Sequence, residues 1–224
     1  PRSTLSSSSA ASVCIRDRFP DFLIIGAPKC GTTSLFNYLG QHPQIYPSPE
    51  KEPHFYSYVG EERPHWGTDS VEEYSALFEE AGPEQLCVEA STWYLYSSTA
   101  AEQIRRYAPD TKCVALLRQP VDRAYSSWSF RVQNGWEPLS FEEAIAAEEE
   151  RIENEEAWGT HYLNGGLYSE QVRRFYEQLG RDQLRIILFD DFQNDADAIV
   201  REVLSFLGLE PVEASDTDTV HNPT

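Results

Sequence analysis

Lysine is nearly missing from this chain of 224 residues: Lys29, Lys51 and Lys112 are the only three, and 18 basic residues face 37 acidic ones for a formal net charge of −19. Long-range repulsion from such a surface disfavours nucleic acid, anionic membranes and sulfated polymers as partners. Metal ligands in usable spacing are lacking too. Cys14, Cys30, Cys87 and Cys113 form no CxxC or zinc pattern, and His42, His54, His65, His161 and His221 form no ligating one, so no metal site is expected. The Ser- and Ala-rich first thirteen residues hold no apolar run long enough for a membrane span or a secretory signal. A cytoplasmic location is expected if the source is prokaryotic. No internal repeat is visible, and the glutamate-rich run from Glu142 to Glu156 reads as a solvated helix face.

What is present is the alternation of an α/β domain. The length suits one substantial domain and is short for two. Strand-like runs at 22–26, 85–90, 112–117 and 184–189 alternate with helical patterns, which predicts a mainly parallel sheet with helices on both faces. Val71, Tyr74, Leu77 and Phe78 form one core-facing stripe near 70–80; Ile199, Val203, Phe206 and Leu207 form another near 195–207. Thr99 with Glu102 and Ser140 with Glu143 have capping-box spacing, and Gly208 fits a helix stop. Residues 1–19 read as a flexible lead-in and 20–224 as the folded domain.

The richest stretch runs from Phe22 to Leu35, where an apolar strand enters a glycine-bounded loop that opens a helix. Backbone N–H groups at such a helix start carry partial positive charge and hold anions. A GxxxxGK[ST] loop needs its lysine directly after the second glycine. Here Thr32 follows Gly31 and the lysine stands earlier, at Lys29, which argues against an ordinary ATPase or kinase. A second unit, Val114 to Trp128, reads as a buried strand, a turn and a helix with Pro120 near its first position. Its Arg118 offers a planar fork for phosphate oxygens, and Ser126 a hydroxyl to complete the coordination.

Pro28-Lys29-Cys30-Gly31-Thr32-Thr33-Ser34 resembles the 5′-phosphosulfate loop of sulfotransferases that use 3′-phosphoadenosine 5′-phosphosulfate (PAPS), and the second unit resembles their 3′-phosphate site. The resemblance implies a P-loop-like α/β fold, PAPS as co-substrate, and nucleotide binding by Lys29, Cys30, Gly31, Thr32, Thr33, Ser34, Arg118 and Ser126. Glu50-Lys51-Glu52-Pro53-His54-Phe55 is similar to the segment carrying the catalytic glutamate in the glycan-type branch, which puts Glu52 on the base and His54 beside it. A hydroxyl acceptor must lose its proton as it attacks sulfur, so a carboxylate there has chemical purpose. Lys29 would meet the charge developing on the leaving phosphate.

Val88 to Leu95 resembles a segment of heparan-modifying members, with Ala90 where those carry lysine and Thr92 where they carry proline. A cation is thereby lost from the expected cleft, which favours a neutral or weakly charged acceptor. Glu89, Trp93, Tyr94 and Tyr168 are the expected acceptor contacts, among aromatic candidates that also include Trp66, Tyr96 and Trp128. A helix N-terminus is expected to lower the pKa of Cys30. The family usually continues past the equivalent of Thr224 into a basic loop and final helix over the nucleotide, which implies a chain cut before that segment. Two alternatives stay open: a degenerate P-loop phosphotransferase, and a non-catalytic module that binds PAPS or adenosine phosphates.

Overall fold

The computed structural model describes residues 19–58, 68 and 70–211. The expectations for Cys14, His65, Trp66, His221, residues 1–18 and residues 212–224 lie outside the described residues.

In chain order the described elements are β1 (Phe22–Gly26), α1 (Thr32–Leu39), β2 (Ile45–Pro47), α2 (Phe55–Tyr58), α3 (Val71–Ala76), β3 (Leu86–Ala90), α4 (Ala100–Tyr107), β4 (Lys112–Leu117), α5 (Pro120–Gln133), α6 (Phe141–Ala146), α7 (Glu148–Glu153), α8 (Tyr168–Leu179), β5 (Leu184–Leu188), α9 (Phe189–Asn194) and α10 (Ala196–Leu207). The five strands form one parallel sheet in the order β2-β3-β1-β4-β5. Leu23 at its centre pairs with Glu89 on one side and Cys113 on the other. The crossover through α1 leaves β1 in one direction and the crossover through α4 passes over it in the other. Right-handed connections therefore put α1 and α4 on opposite faces. Covered on both faces, Phe22, Leu23, Ile24 and Ile25 have no exposed surface, which is why β1 is a continuous apolar run.

The four expected strands are present. The sequence pattern did not mark β2, which has three residues and closes on Pro47. Periodicity has no purchase on so short a run. It is a strand because Ile45, Tyr46 and Pro47 pair with Leu86, Cys87 and Val88, and an edge position tolerates the missing proline N–H.

Ser140 and Glu143 close a full capping box on α6, and Gly208 ends α10 in the left-handed region. Thr99 does head α4, but its side chain makes no capping bond. Ser97 Oγ instead accepts from the backbone N–H groups of Thr99 and Ala100, at 3.3 and 3.2 Å.

Glu148 corrects the reading of the acidic run as a solvated face. Its side chain is buried and accepts from the backbone N–H groups of Leu163 and Asn164 at 2.6 and 2.7 Å, and from the Asn164 amide at 2.9 Å. Three donors converging on one carboxylate offset its desolvation, and composition alone does not reveal that. Trp128 is likewise structural: it packs beside Ala124, Ala144 and Tyr162 and donates to the Leu139 carbonyl at 3.0 Å.

Candidate active site

The loops that carry Lys29, Glu52, His54, Trp93 and Arg118 each leave the C-terminal end of a strand, and β1 lies where the strand order reverses. That crevice is where open α/β sheets bind ligands. The chain after β2 keeps tracking β3: Ser48 N–H donates to the Val88 carbonyl at 2.8 Å and Glu52 N–H to the Ala90 carbonyl at 3.1 Å. Glu52 is thus delivered to the rim of the sheet by backbone bonds.

The anion loop spans Ala27 to Gly31. Gly31 has φ +81°, and a Cβ there would come within about 3 Å of the Phe189 and Phe192 rings, so both conformation and space call for glycine. As N-cap of α1 it has no side chain to cap the helix, and no acidic residue stands in the first turn. By contrast α3, α5, α6 and α10 are each capped by a side chain, and α4, α7, α8 and α9, which lack such a cap, each carry an acidic residue in the first turn. A helix start left this way is suited to an anion.

Lys29 lies in the left-handed region at φ 69°, as do Glu52 at 59° and His54 at 53°. Among the described residues the remaining non-glycine with positive φ is Glu155. Such backbone costs of order 1–3 kcal/mol per residue and is kept where surrounding structure enforces it, often at functional sites. The three residues picked for chemistry are thus three of the four that carry this strain.

Among the described residues Lys29 and Arg118 form no ion pair; the Lys29 Nζ rests 4.3 Å from the centre of the Phe130 ring and the Arg118 guanidinium 4.9 Å from that of Phe189. Burial, helped by the charges of Arg118 and Lys51, holds the Lys29 ammonium below the usual lysine value. A bound anion would relieve that repulsion. Arg118 also donates to the Lys29 carbonyl at 3.3 Å, which ties the end of β4 to the loop. Ser126, on α5, is buried with an Oγ that has no hydrogen-bond partner among the described residues. Leaving such a hydroxyl unsatisfied costs ~1–3 kcal/mol, and a phosphate oxygen would satisfy it.

Glu52 is held by three groups. Thr92 Oγ1 donates to Oε1 at 3.1 Å, His54 Nε2 stands 3.5 Å from Oε2, and Lys51 is its chain neighbour. Burial pushes the carboxyl up, but the hydrogen bond and charge of His54, the Lys51 ammonium and the Thr92 hydroxyl more than offset that, so Glu52 titrates below the usual carboxylate value. About a third of its side chain remains exposed, 34% against 2% for His54, so an acceptor can reach it.

The expected acceptor contacts separate. Glu89 and Tyr94 are fully buried and lie beneath the site surface. Tyr74 donates to Glu89 Oε2 at 3.1 Å, and Tyr94 packs edge-on to His54 with centroids 6.1 Å apart. Tyr168 sits beside the anion loop: its hydroxyl donates to the Arg118 carbonyl at 3.0 Å and lies 4.0 Å from Cys30 Sγ. Trp93 joins a third group, its ring 5.7 Å from Tyr96 and 6.4 Å from Trp158. Cys30 reverses its expectation. Its side chain is turned into the core, and burial pushes the thiol up to about 11 rather than down. Any contact it makes with a nucleotide is through its backbone N–H.

Burial pushes Glu89 up to about 7 against the hydrogen bonds of Ser91, Tyr94 and Tyr74, and the nearby Glu52 charge adds to the rise. Between its ordinary value of 4.5 and about 7 the folded protein keeps a proton that the unfolded chain releases. Stability therefore drains as pH rises across that window. Glu89→Gln is expected to flatten the fall of Tm over this range, measured by thermal melts at several pH values; an unchanged slope would contradict it.

Sequence reading missed Thr92 as a ligand of Glu52, the bond from Lys51 Nζ to Thr33 Oγ1 at 2.6 Å, and the rings of Phe130 and Phe189 under the two cations. The adjacency of Lys51 to Glu52, in a chain with three lysines, was the one available signal.

The sulfotransferase domain family matches residues 19–222. Human bifunctional heparan sulfate N-deacetylase/N-sulfotransferase 3 is 30% identical over 204 residues, which cover 87% of this chain and 23% of that protein. The chain thus spans less than a quarter of that relative's length. A sulfotransferase from Alicyclobacillus acidocaldarius, solved by crystallography, superposes with a TM-score of 0.85 at 37% identity, covering 92% of this chain and 87% of that one. A mouse sulfotransferase complexed with PAP has a TM-score of 0.57 at 18% identity over 91% of this chain and 63% of its own, a likeness of fold alone.

Proposed function

Because the chain belongs to the sulfotransferase domain family, we propose that it moves the sulfuryl group of PAPS to a neutral or weakly charged hydroxyl acceptor by direct in-line displacement. The observation that carries this reading is the coincidence of left-handed backbone at Lys29, Glu52 and His54 in two loops at the same end of the sheet.

PAPS supplies a sulfuryl group on a phosphosulfate linkage. The acceptor oxygen forms its bond to sulfur as the bond from sulfur to the bridging oxygen breaks, and that electron pair stays on the 5′-phosphate of the departing nucleotide. Glu52 takes the acceptor's proton, held in place by Thr92 and His54. Lys29 and the amides of Gly31, Thr32 and Thr33 meet the charge growing on the bridging oxygen, while Ser34 extends the same helix start. Arg118 and Ser126 hold the 3′-phosphate. Ala90 leaves the rim of β3 uncharged, which suits a neutral acceptor better than a polyanion.

Binding tests the donor. The chain is expected to prefer 3′-phosphoadenosine 5′-phosphate to the analogue without the 3′-phosphate, and Arg118→Ala should weaken binding of the former at least ~10-fold, since a charge-assisted hydrogen bond contributes ~1.5–3 kcal/mol. Isothermal titration reads both. Equal affinity for the two nucleotides would remove Arg118 and Ser126 from this role. The human relative's name describes N-sulfotransfer, so an amine acceptor is the second reading. A panel of sugars, steroids, phenols, aliphatic alcohols and amino sugars with labelled PAPS separates the two.

A further inference from the structure

Lys51 joins the two halves of this site. Its backbone belongs to the loop of Glu52 and His54, while its Nζ donates at 2.6 Å to Thr33 Oγ1, on the first turn of α1. An exposed lysine ordinarily stays in water, because fixing its side chain forfeits up to ~2 kcal/mol of rotamer entropy. Here it crosses from the base loop to the anion loop. Two of the chain's three lysines therefore stand at one helix start in a protein of net charge −19.

The groups that face Glu52 come from three elements. His54 and Lys51 lie on its own loop, Thr92 on the turn after β3, and Glu89 on β3 itself; Lys29 faces Lys51 from the anion loop. Of these, Lys51 is the one whose side chain bonds to the helix start. Position 90 contributes none, although its carbonyl receives the Glu52 N–H.

We propose that Lys51 is a positioning residue for the transfer: through Thr33 its ammonium ties the Glu52 loop to the anion loop and sets a positive charge beside the base and the bound donor. The proposal deepens the sulfuryl-transfer reading and rests on it. An anion arriving at the first turn of α1 meets Lys51 already in place, so donor site and base are assembled together.

The test compares Lys51→Met and Lys51→Arg with the wild-type chain. Carboxyl-labelled glutamate followed by NMR reads the titration of Glu52, its signal assigned by its loss in Glu52→Gln. In Lys51→Met the Glu52 midpoint is expected to rise by about one unit, the low end for an opposite charge because Lys51 is exposed. The rise should shrink in high salt, and Lys51→Arg should restore the wild-type midpoint. Turnover of labelled PAPS should fall about tenfold in Lys51→Met, with its acid limb displaced in the same direction and affinity for 3′-phosphoadenosine 5′-phosphate less affected. An unmoved midpoint, or equal displacement in the Met and Arg variants, would overturn the proposal. So would a loss of nucleotide affinity as large as the loss of turnover, which would make Lys51 a donor anchor. A shifted midpoint in a chain that never turns over PAPS would instead leave the tie standing and sink the transfer reading.

Discussion

Replacing Glu52 by glutamine is expected to lower turnover ~10²-fold or more while leaving the affinity for PAPS nearly unchanged. Glutamine keeps the size of the side chain and can still accept from Thr92, so the loop and its Thr92 contact survive. What it loses is the ability to take a proton. An aliphatic hydroxyl is a poor nucleophile until proton removal accompanies attack, so the chemical step carries the whole deficit. The measurement is single-turnover sulfation of an aliphatic or sugar alcohol, with nucleotide affinity determined separately. A phenol would be the wrong acceptor, since its partial ionisation bypasses the base. Near-normal turnover would remove Glu52 from proton transfer and make His54, 3.5 Å away, the next candidate.

Lys29→Ala is expected to cut the rate of the chemical step by ~10²–10³, the effect of deleting one donor aimed at developing charge. Nucleotide-product binding should fall much less. The distinction follows from the lysine's surroundings: it is partly desolvated, repelled by Arg118 and Lys51, and rests on the Phe130 ring in place of a carboxylate. Charge appearing on the bridging oxygen relieves all of this most strongly in the transition state, so the stabilisation is largely differential. Comparing single-turnover rates with dissociation constants for 3′-phosphoadenosine 5′-phosphate decides the matter. A variant with weakened binding and normal chemistry would mean that Lys29 is a ground-state anchor.

Much of the architecture is legible because it is written in local patterns. Phe22 to Gly26 is apolar throughout because β1 is covered on both faces, and a glycine-bounded loop into a helix has few uses besides holding an anion. Pro120, Ser140 and Gly208 mark helix ends through backbone chemistry that acts within a turn of the chain. The order Lys29, Glu52, Arg118 also follows from the chain itself, since each sits in a short motif that no distant contact is needed to recognise.

Tertiary structure decided everything that depends on residues far apart in sequence. Strand β2 exists by pairing with β3, and Glu148 is buried because Leu163 and Asn164 bring it three donors. The Cys30 thiol is raised because the same helix start that the sequence marks as electropositive turns the side chain into a dry core, where desolvation outweighs the Arg123 charge and the Tyr168 hydrogen bond. Glu89 and Tyr94 lie beneath the site, since alternate residues of an internal strand, and the turn that follows it, have no solvent to face. The link between Lys51 and Thr33 spans 18 residues and two loops, and its strength depends on distance and solvent exposure. Sequence alone therefore determined which chemical groups this protein possesses and which local backbone carries them. Only the folded chain determined which charges meet, because Coulomb and desolvation energies depend on separation in space and access to water, and neither quantity is encoded by spacing along the chain.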